Sequence, residues 1–245
     1  MVYAVSDLHG MYSLYEKICA KLKPEDKVIF LGDAGDRGPN GWKLIRAILD
    51  NPQWIYLKGN HEDMLINAID ETQTFEGRLN LGYDYLLSVR NGGKQTIEDC
   101  LKDNEGFEII ERLKMLPLTA HYTSPSGVEY WLTHAGYTPA RGEKPYDNVP
   151  DRLLLWDRDH LMDTCFDYKK DFYIIHGHTP VEFCPEATFD GDFMGLQEHS
   201  PFLYGNNMKI DIDAGAFYTN ETYLFNLDEF SFEIIKCEEE SDETE

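Results

Sequence analysis

The sequence predicts an α/β fold: a parallel sheet with helices packed on it and reactive side chains gathered at the carboxyl ends of the strands. Three observations predict it. Over the first sixty residues, short apolar runs alternate with amphipathic segments, each run is followed at once by a polar cluster, and the clusters are rich in Asp, Asn and His. Alternation of this kind implies βαβ units. In open α/β sheets, reactive groups collect beyond the carboxyl ends of strands. Five clusters stand out: Asp7-Leu8-His9-Gly10, Gly32-Asp33-Ala34-Gly35-Asp36-Arg37-Gly38, Gly59-Asn60-His61-Glu62, His134, and Gly177-His178.

Taken in order, Val2-Tyr3-Ala4-Val5 is a short buried strand that ends at Ser6-Asp7. Residues 14–22 place Leu14, Tyr15, Ile18, Cys19 and Leu22 at helical spacing and stop before Pro24. Val28-Ile29-Phe30-Leu31 is a second strand, 42–49 a second helix broken by Asn51-Pro52, and Trp54-Ile55-Tyr56-Leu57 a third strand running into Gly59-Asn60-His61. Residues 62–116 read as a polar helical insertion covering one side of the sheet, interrupted at Gly77, Gly82 and Asn91-Gly92-Gly93 and closed by Pro117. Strands return at 128–133, leading to His134, and at 172–175, leading to His176-Gly177-His178. Residues 208–212 form another strand and 223–235 a hairpin. The stretch 137–151, rich in Pro, Gly and charge, reads as a surface loop near the site. One domain over 1–236 is expected, with 237–245 an acidic, disordered tail.

Composition narrows the function classes. The chain has 245 residues, 42% of them hydrophobic and 13% aromatic, enough for a sizeable core. No run approaches the roughly 18 apolar residues of a membrane helix. The opening residues lack a basic n-region, so a secretory signal is not expected and a cytoplasmic, monomeric protein without membrane partners is. The formal net charge is −23; six of those charges lie in the tail, and the remainder still carries −17. That excess argues against a nucleic-acid partner, because affinity for a phosphate backbone comes from Lys and Arg. Cys19, Cys100, Cys165, Cys184 and Cys237 are odd in number and widely spaced, which excludes a disulfide framework and a thiolate zinc site as expectations.

The clusters themselves point to metal chemistry. Carboxylate, imidazole and amide oxygen suit hard and borderline divalent cations, and no sulfur accompanies them. Asp7 and His9, two residues apart at a strand end, are expected on one side of the pleat and so able to grip one ion. Asp33 on the adjacent strand can bridge two ions, with Asn60, His134 and His178 completing the second. Two ions about 3.5–4 Å apart clamp the attacking and leaving oxygens of an in-line displacement. Singly, each residue has a plainer reading: a core histidine, a helix N-cap, a turn former. Jointly, six such groups at one sheet edge favour a metal centre. His176 falls on the same face as His178 by alternation but is read as structural. His121, His160 and His199 stand outside any motif and read as surface or core residues, and Glu62 reads as shaping its turn.

Gly32-Asp33-x-x-Asp36-Arg37-Gly38, Gly59-Asn60-His61-Glu62 and Asp7-x-His9-Gly10 resemble the signature blocks of the calcineurin-like metallophosphoesterases, and within them the PPP serine/threonine protein phosphatases of the bacterial and bacteriophage lambda type. Leu155-Trp156-Asp157-Arg158, Gly177-His178-Thr179-Pro180, Asn91-Gly92-Gly93 and Ile212-Asp213-Ala214-Gly215-Ala216 extend the resemblance over about residues 1–225. It implies a β-sandwich of two mixed sheets flanked by helices, with two divalent metal ions (Mn, or Fe or Zn) at the strand ends. It places Asp7, His9 and Asp33 on the first ion and Asp33, Asn60, His134 and His178 on the second. His61 is then similar to the family's general acid, with Asp36 orienting it. Arg37 and Arg158, joined by Asn60, hold the phosphoryl group. The implied reaction is hydrolysis of a phosphomonoester in a phosphoprotein or phosphorylated small molecule, by in-line attack of a hydroxide bridging the ions.

Two alternatives stay open. A dinucleoside polyphosphate hydrolase, such as a diadenosine tetraphosphatase, shares the fold and the metal set. In its symmetric bacterial form the place of Asp36 is usually alanine and that of Glu62 aspartate, so Asp36 and Glu62 lean toward protein phosphatase. A catalytically silent binding scaffold would be expected to have lost a ligand or His61, and none is missing.

Overall fold

The computed structural model describes residues 1–73, 82–137, 149–162, 172–184, 192–194, 199–205 and 208–237. Most of the loop 137–151, Cys165 and nearly all of the acidic tail lie outside these residues.

The alternation seen in the sequence is observed: β1 (Val2–Val5), α1 (Tyr12–Lys21), β2 (Lys27–Phe30), α2 (Gly41–Asp50) and β3 (Trp54–Tyr56) follow in order. The three strands are parallel, Val5 facing Phe30 and Phe30 facing Tyr56 in register. Helices α3 (Asn60–Gln73), α4 (Tyr83–Arg90), α5 (Lys94–Lys102) and α6 (Gly106–Lys114) make up the described part of the insertion. Beyond them come β4 (Thr119–Thr123), β5 (Glu129–Thr133), α7 (Asp151–Trp156), a 3-10 turn (Asp159–Met162), β6 (Phe172–His176), β7 (Asp192–Phe193), β8 (Phe202–Tyr204), β9 (Lys209–Asp211), α8 (Ala216–Thr219), β10 (Glu221–Asn226) and β11 (Ser231–Lys236).

Among the described residues these strands form two mixed sheets, in the orders β11-β10-β1-β2-β3 and β4-β5-β6-β9-β8-β7. Pleat alternation explains how each sheet finds a neighbour on both faces. From the first sheet, Val5, Val28 and Phe30 point toward the helices and bury with Leu14, Ile18, Trp42, Ile45, Leu65 and Ile97. Their sequence neighbours Ala4 and Ile29 point the other way and bury with Tyr130, Leu132, Ile175, Ile210 and Phe225 between the sheets. Strands buried on both faces read as continuous apolar runs, which is why β1 and β2 stand out in the sequence; β3 is an edge strand with Ile55 exposed, yet its run is apolar as well.

Two expectations need correction. β4 lies where the sequence reading left a gap before residue 128; it is an edge strand, half-exposed and polar, so it lacks the apolar run that marked the others. The β6 alternation also fails at its end. The strand stops at His176, and His178 has φ of +71°, so the two histidines do not share a face.

Candidate metal and phosphate site

The polar clusters meet at the carboxyl ends of β1, β2, β3, β5 and β6. Asp7 and His9 converge, with His9 Nε2 3.9 Å from Asp7 Oδ1, but not for the pleat reason. Both lie beyond the end of β1 with φ of +51° and +40°. Of the eight non-glycine residues with positive φ among the described residues, six are Asp7, His9, Asp33, Asp36, Arg37 and His178. Such backbone costs on the order of 1–3 kcal/mol per residue and persists only where the surroundings impose it.

The surroundings here are a dense set of hydrogen bonds. Glu62 is fully buried, and its carboxylate accepts from Asp33 N at 2.8 Å, Gly59 N at 2.8 Å, Ala34 N at 2.9 Å and the Tyr56 hydroxyl at 2.8 Å. It therefore ties the β2 turn to the β3 turn, as its reading as a turn-shaping residue expected. Gly32 (φ +99°) allows the same approach, since a Cβ there would sit 2.5 Å from Gly59 N. On the other flank the insertion holds the Asp36–Arg37 turn. Thr96 Oγ1 accepts from Asp36 N at 3.1 Å, and Gly92 O accepts from Arg37 N at 3.2 Å.

The side chains so positioned form two groups that could each hold a cation: His9, Asp33 and His61, and Asp33, His134 and His178, with the candidate atoms of each group within 4.8 Å of one another. The second group shows why a cation fits. His134 Nδ1 donates to Leu31 O at 2.8 Å, which leaves Nε2 as a bare lone pair. That Nε2 lies 2.7 Å from Asn60 Oδ1, 3.4 Å from Asp33 Oδ1 and 3.2 Å from His178 Nδ1. Lone pairs converging at these distances call for a positive charge between them. Asp7 Oδ1 is also buried, with no hydrogen-bond partner among the described residues, whereas Asp7 Oδ2 is engaged by the Ser6 hydroxyl and by His178 N at 3.0 Å.

Electrostatics agree. Burial, together with Asp7 and Glu62, pushes the Asp33 carboxyl well above the usual range, and burial with Asp7 does the same to Asp213. Burial depresses His9, His134 and His178. A pocket that resists both lone carboxylates and imidazolium is one in which a bound cation would restore charge balance.

Beside these groups, His61 Nδ1 contacts Asp36 Oδ2 at 2.7 Å and its Nε2 contacts Arg37 Nη2 at 3.1 Å. Burial lowers His61 further, with Arg37 adding to it, and raises Asp36 to about 7. Arg158 is exposed and donates Nε–H to Thr179 Oγ1 at 3.1 Å, close enough to act electrostatically on His61, His134 and His178. His176 stays out of the cluster: it is buried, with Nδ1 3.0 Å from Gly177 O and Nε2 2.6 Å from the Tyr204 hydroxyl. His160 is also buried, whereas His199 is exposed and His121 lies against Trp131 with ring centroids 4.3 Å apart. Thr96 has no local signal in the sequence, because a hydroxyl that accepts from a distant turn leaves no pattern; Thr179 falls in a recognisable block, but its contact with the Arg158 side chain does not show there.

Residues 1–212 match the family model of the calcineurin-like phosphoesterases. The chain belongs to that family. Among curated relatives of this metallophosphoesterase, serine/threonine-protein phosphatase 2 of Escherichia coli (strain K12) is 26% identical over 186 residues, 72% of this chain and 78% of that protein. The asymmetrical bis(5'-nucleosyl)-tetraphosphatase PrpE of Halalkalibacterium halodurans is 26% identical over 216 residues, 72% of this chain and 77% of the relative. A solved protein serine/threonine phosphatase from Saccharomyces cerevisiae superposes with a TM-score of 0.58 at 14% identity, covering 98% of this chain and 81% of its own. The last likeness bears on fold alone and matches the two mixed sheets flanked by helices. Phosphoester hydrolysis is thus supported for this metallophosphoesterase, and the comparisons leave its substrate class open between the two names.

Proposed function

We propose that this metallophosphoesterase is a protein serine/threonine phosphatase, cleaving phosphate from alcohol monoesters. Asp7, His9 and Asp33 would hold one divalent cation, and Asp33, Asn60, His134 and His178 a second. His61 also lies near the first set, but Arg37 Nη2 at 3.1 Å from its Nε2 places a positive charge where an ion would have to bind. Asp7, with Oδ1 buried and without a hydrogen-bond partner among the described residues, is the better ligand. Cations bound there, Mn being the leading choice and Fe or Zn fitting the same donors, supply Lewis acidity toward the phosphoryl oxygens and toward water.

The remaining work falls to the chain itself. Arg37 and Arg158 offer forked donors to the phosphoryl oxygens, where charge grows in the transition state, and the Asn60 amide would add a further donor. His61 gives a proton to the leaving oxygen. Its contact with Asp36 Oδ2 at 2.7 Å fixes the ring by Nδ1, so Nε2, which faces Arg37 Nη2 at 3.1 Å, is the atom that would exchange a proton with the leaving oxygen. That Asp36–His61 pair is the observation that carries the reading. A serine or threonine alkoxide is a poor leaving group and needs protonation, while a nucleotide leaving from an anhydride departs as a stabilised anion and needs it far less.

The rival reading, a dinucleoside polyphosphate hydrolase, draws support from the relative PrpE. Kinetics on a phosphoserine peptide and on diadenosine tetraphosphate, run side by side with one enzyme preparation and added manganese, separate the two. A higher kcat/KM for the peptide is expected; a higher value for the dinucleotide would reverse the assignment.

A further inference from the structure

Behind the site, Tyr204 joins two elements that the sequence treats as unrelated. It sits on β8, fully buried, and its hydroxyl lies 2.6 Å from His176 Nε2 and 3.0 Å from His160 Nδ1. His160 Nε2 faces Ala135 O at 2.7 Å, and His176 Nδ1 faces Gly177 O at 3.0 Å. A carbonyl oxygen only accepts, so each ring keeps its proton on the nitrogen facing the carbonyl. Each ring therefore presents a bare nitrogen to Tyr204, whose one hydroxyl proton goes to either ring but not to both at once.

His160 belongs to the 3-10 turn that follows Arg158 by one residue, and Leu161 N closes that turn onto Arg158 O at 3.1 Å. Three hydrogen bonds converge on His160: to Ala135 O, to the Tyr204 hydroxyl, and from Lys209 Nζ to the His160 carbonyl at 3.0 Å. Lys209 is itself fully buried. Arg158 is exposed, so burial does not hold its guanidinium; the anchored turn and Thr179 Oγ1 do.

We propose that Tyr204 is a positioning residue for Arg158: through His160 it holds the turn that aims the guanidinium at the phosphoryl group. The proposal rests on the reading of Arg158 as a phosphate clamp. Tyr204→Phe removes the one donor that the two buried imidazole nitrogens share, without touching the candidate ligands or His61.

The test is a double-mutant cycle of Tyr204→Phe with Arg158→Ala, read by the inhibition constant of inorganic phosphate and by KM and kcat for p-nitrophenyl phosphate with added manganese. Arg158→Ala raises the phosphate inhibition constant. Tyr204→Phe raises it roughly 5-fold, as expected for loss of one well-placed hydrogen bond, raises KM in step, and leaves kcat within about twofold. In the Arg158→Ala background the same substitution has less than about a twofold effect. Tyr15→Phe, which deletes a hydroxyl bonded to Ala47 O and Asn51 on the helical side, lowers stability without changing phosphate inhibition. Should Tyr204→Phe fold poorly, His160→Gln takes its place with the same expected non-additivity. Equal effects of Tyr204→Phe with and without Arg158, or no effect on phosphate inhibition, would overturn the positioning role. An unchanged inhibition constant in Arg158→Ala alone would instead remove the clamp reading, and the proposal with it.

Discussion

Replacing Glu62 by Gln tests how the active-site turns are held. The carboxylate takes two donors on each oxygen: Asp33 N and Gly59 N on Oε2, Ala34 N and the Tyr56 hydroxyl on Oε1. A carboxamide can keep the first pair by placing its oxygen at Oε2, and Tyr56 can rotate its hydroxyl to accept from the new NH2. Ala34 N–H then faces another donor and is stranded, at about 1–3 kcal/mol, and the two retained bonds lose charge assistance worth about 1 kcal/mol each. Relief of the repulsion between Glu62 and Asp33, which helps raise the Asp33 carboxyl, returns part of this. The net expectation is a loss of about 2–4 kcal/mol. For a chain of this size that is a fall in Tm of roughly 5–15 °C. The assay is thermal unfolding by circular dichroism in excess chelator, so that cation binding does not mask the change. A shift below about 2 °C would refute the view that Glu62 holds the Asp33 and Gly59 turns.

Two further outcomes are expected. Because Asp7 Oδ1 is buried with no hydrogen-bond partner among the described residues and the lone pairs of Asp33, Asn60 and His134 converge, manganese should bind the folded chain only, and 100-fold excess over its Kd should stabilise by about 2.7 kcal/mol; no rise in Tm over chelated protein would count against the cation reading. Burial lowers His176 to about 3, from 6.5 when unfolded, so this histidine adds stability above pH 6.5 that is lost as pH falls through about 3. Its imidazole resonances in a nuclear magnetic resonance titration should therefore stay fixed between pH 8 and 5 while the protein remains folded, and a midpoint near 6.5 would contradict its burial.

How much of this was legible in the sequence depended on whether a feature was local. β1 and β2 were visible because a strand buried on both faces leaves an unbroken apolar run, and β3 because its residues are apolar even where Ile55 is exposed. β4, an exposed edge, and α7, six residues long, leave no comparable mark. Asp7, His9, Asp33, Asn60, His134 and His178 could be found by residue type and by their place after strands, and the structure brings them together. The reason given for Asp7 and His9 was wrong: positive φ, not the pleat, aims them. Positive φ at an aspartate is imposed by tertiary contacts such as those of Glu62, which no window of sequence contains. The same holds for His160 and His176. Their contacts with Tyr204 span 44 and 28 residues, farther than any local pattern reaches.

The proton given by His61 is the step that separates an alcohol monoester from an anhydride substrate. Its test is the dependence of rate on leaving group for His61→Asn, measured with manganese on p-nitrophenyl phosphate and on a phosphoserine peptide. The peptide reaction should fall by about 10²–10⁴-fold, the usual scale of general acid catalysis, and the p-nitrophenyl reaction by far less, because that leaving group departs without a proton. An equal loss on both substrates would contradict the acid role and, with it, the assignment to alcohol monoesters.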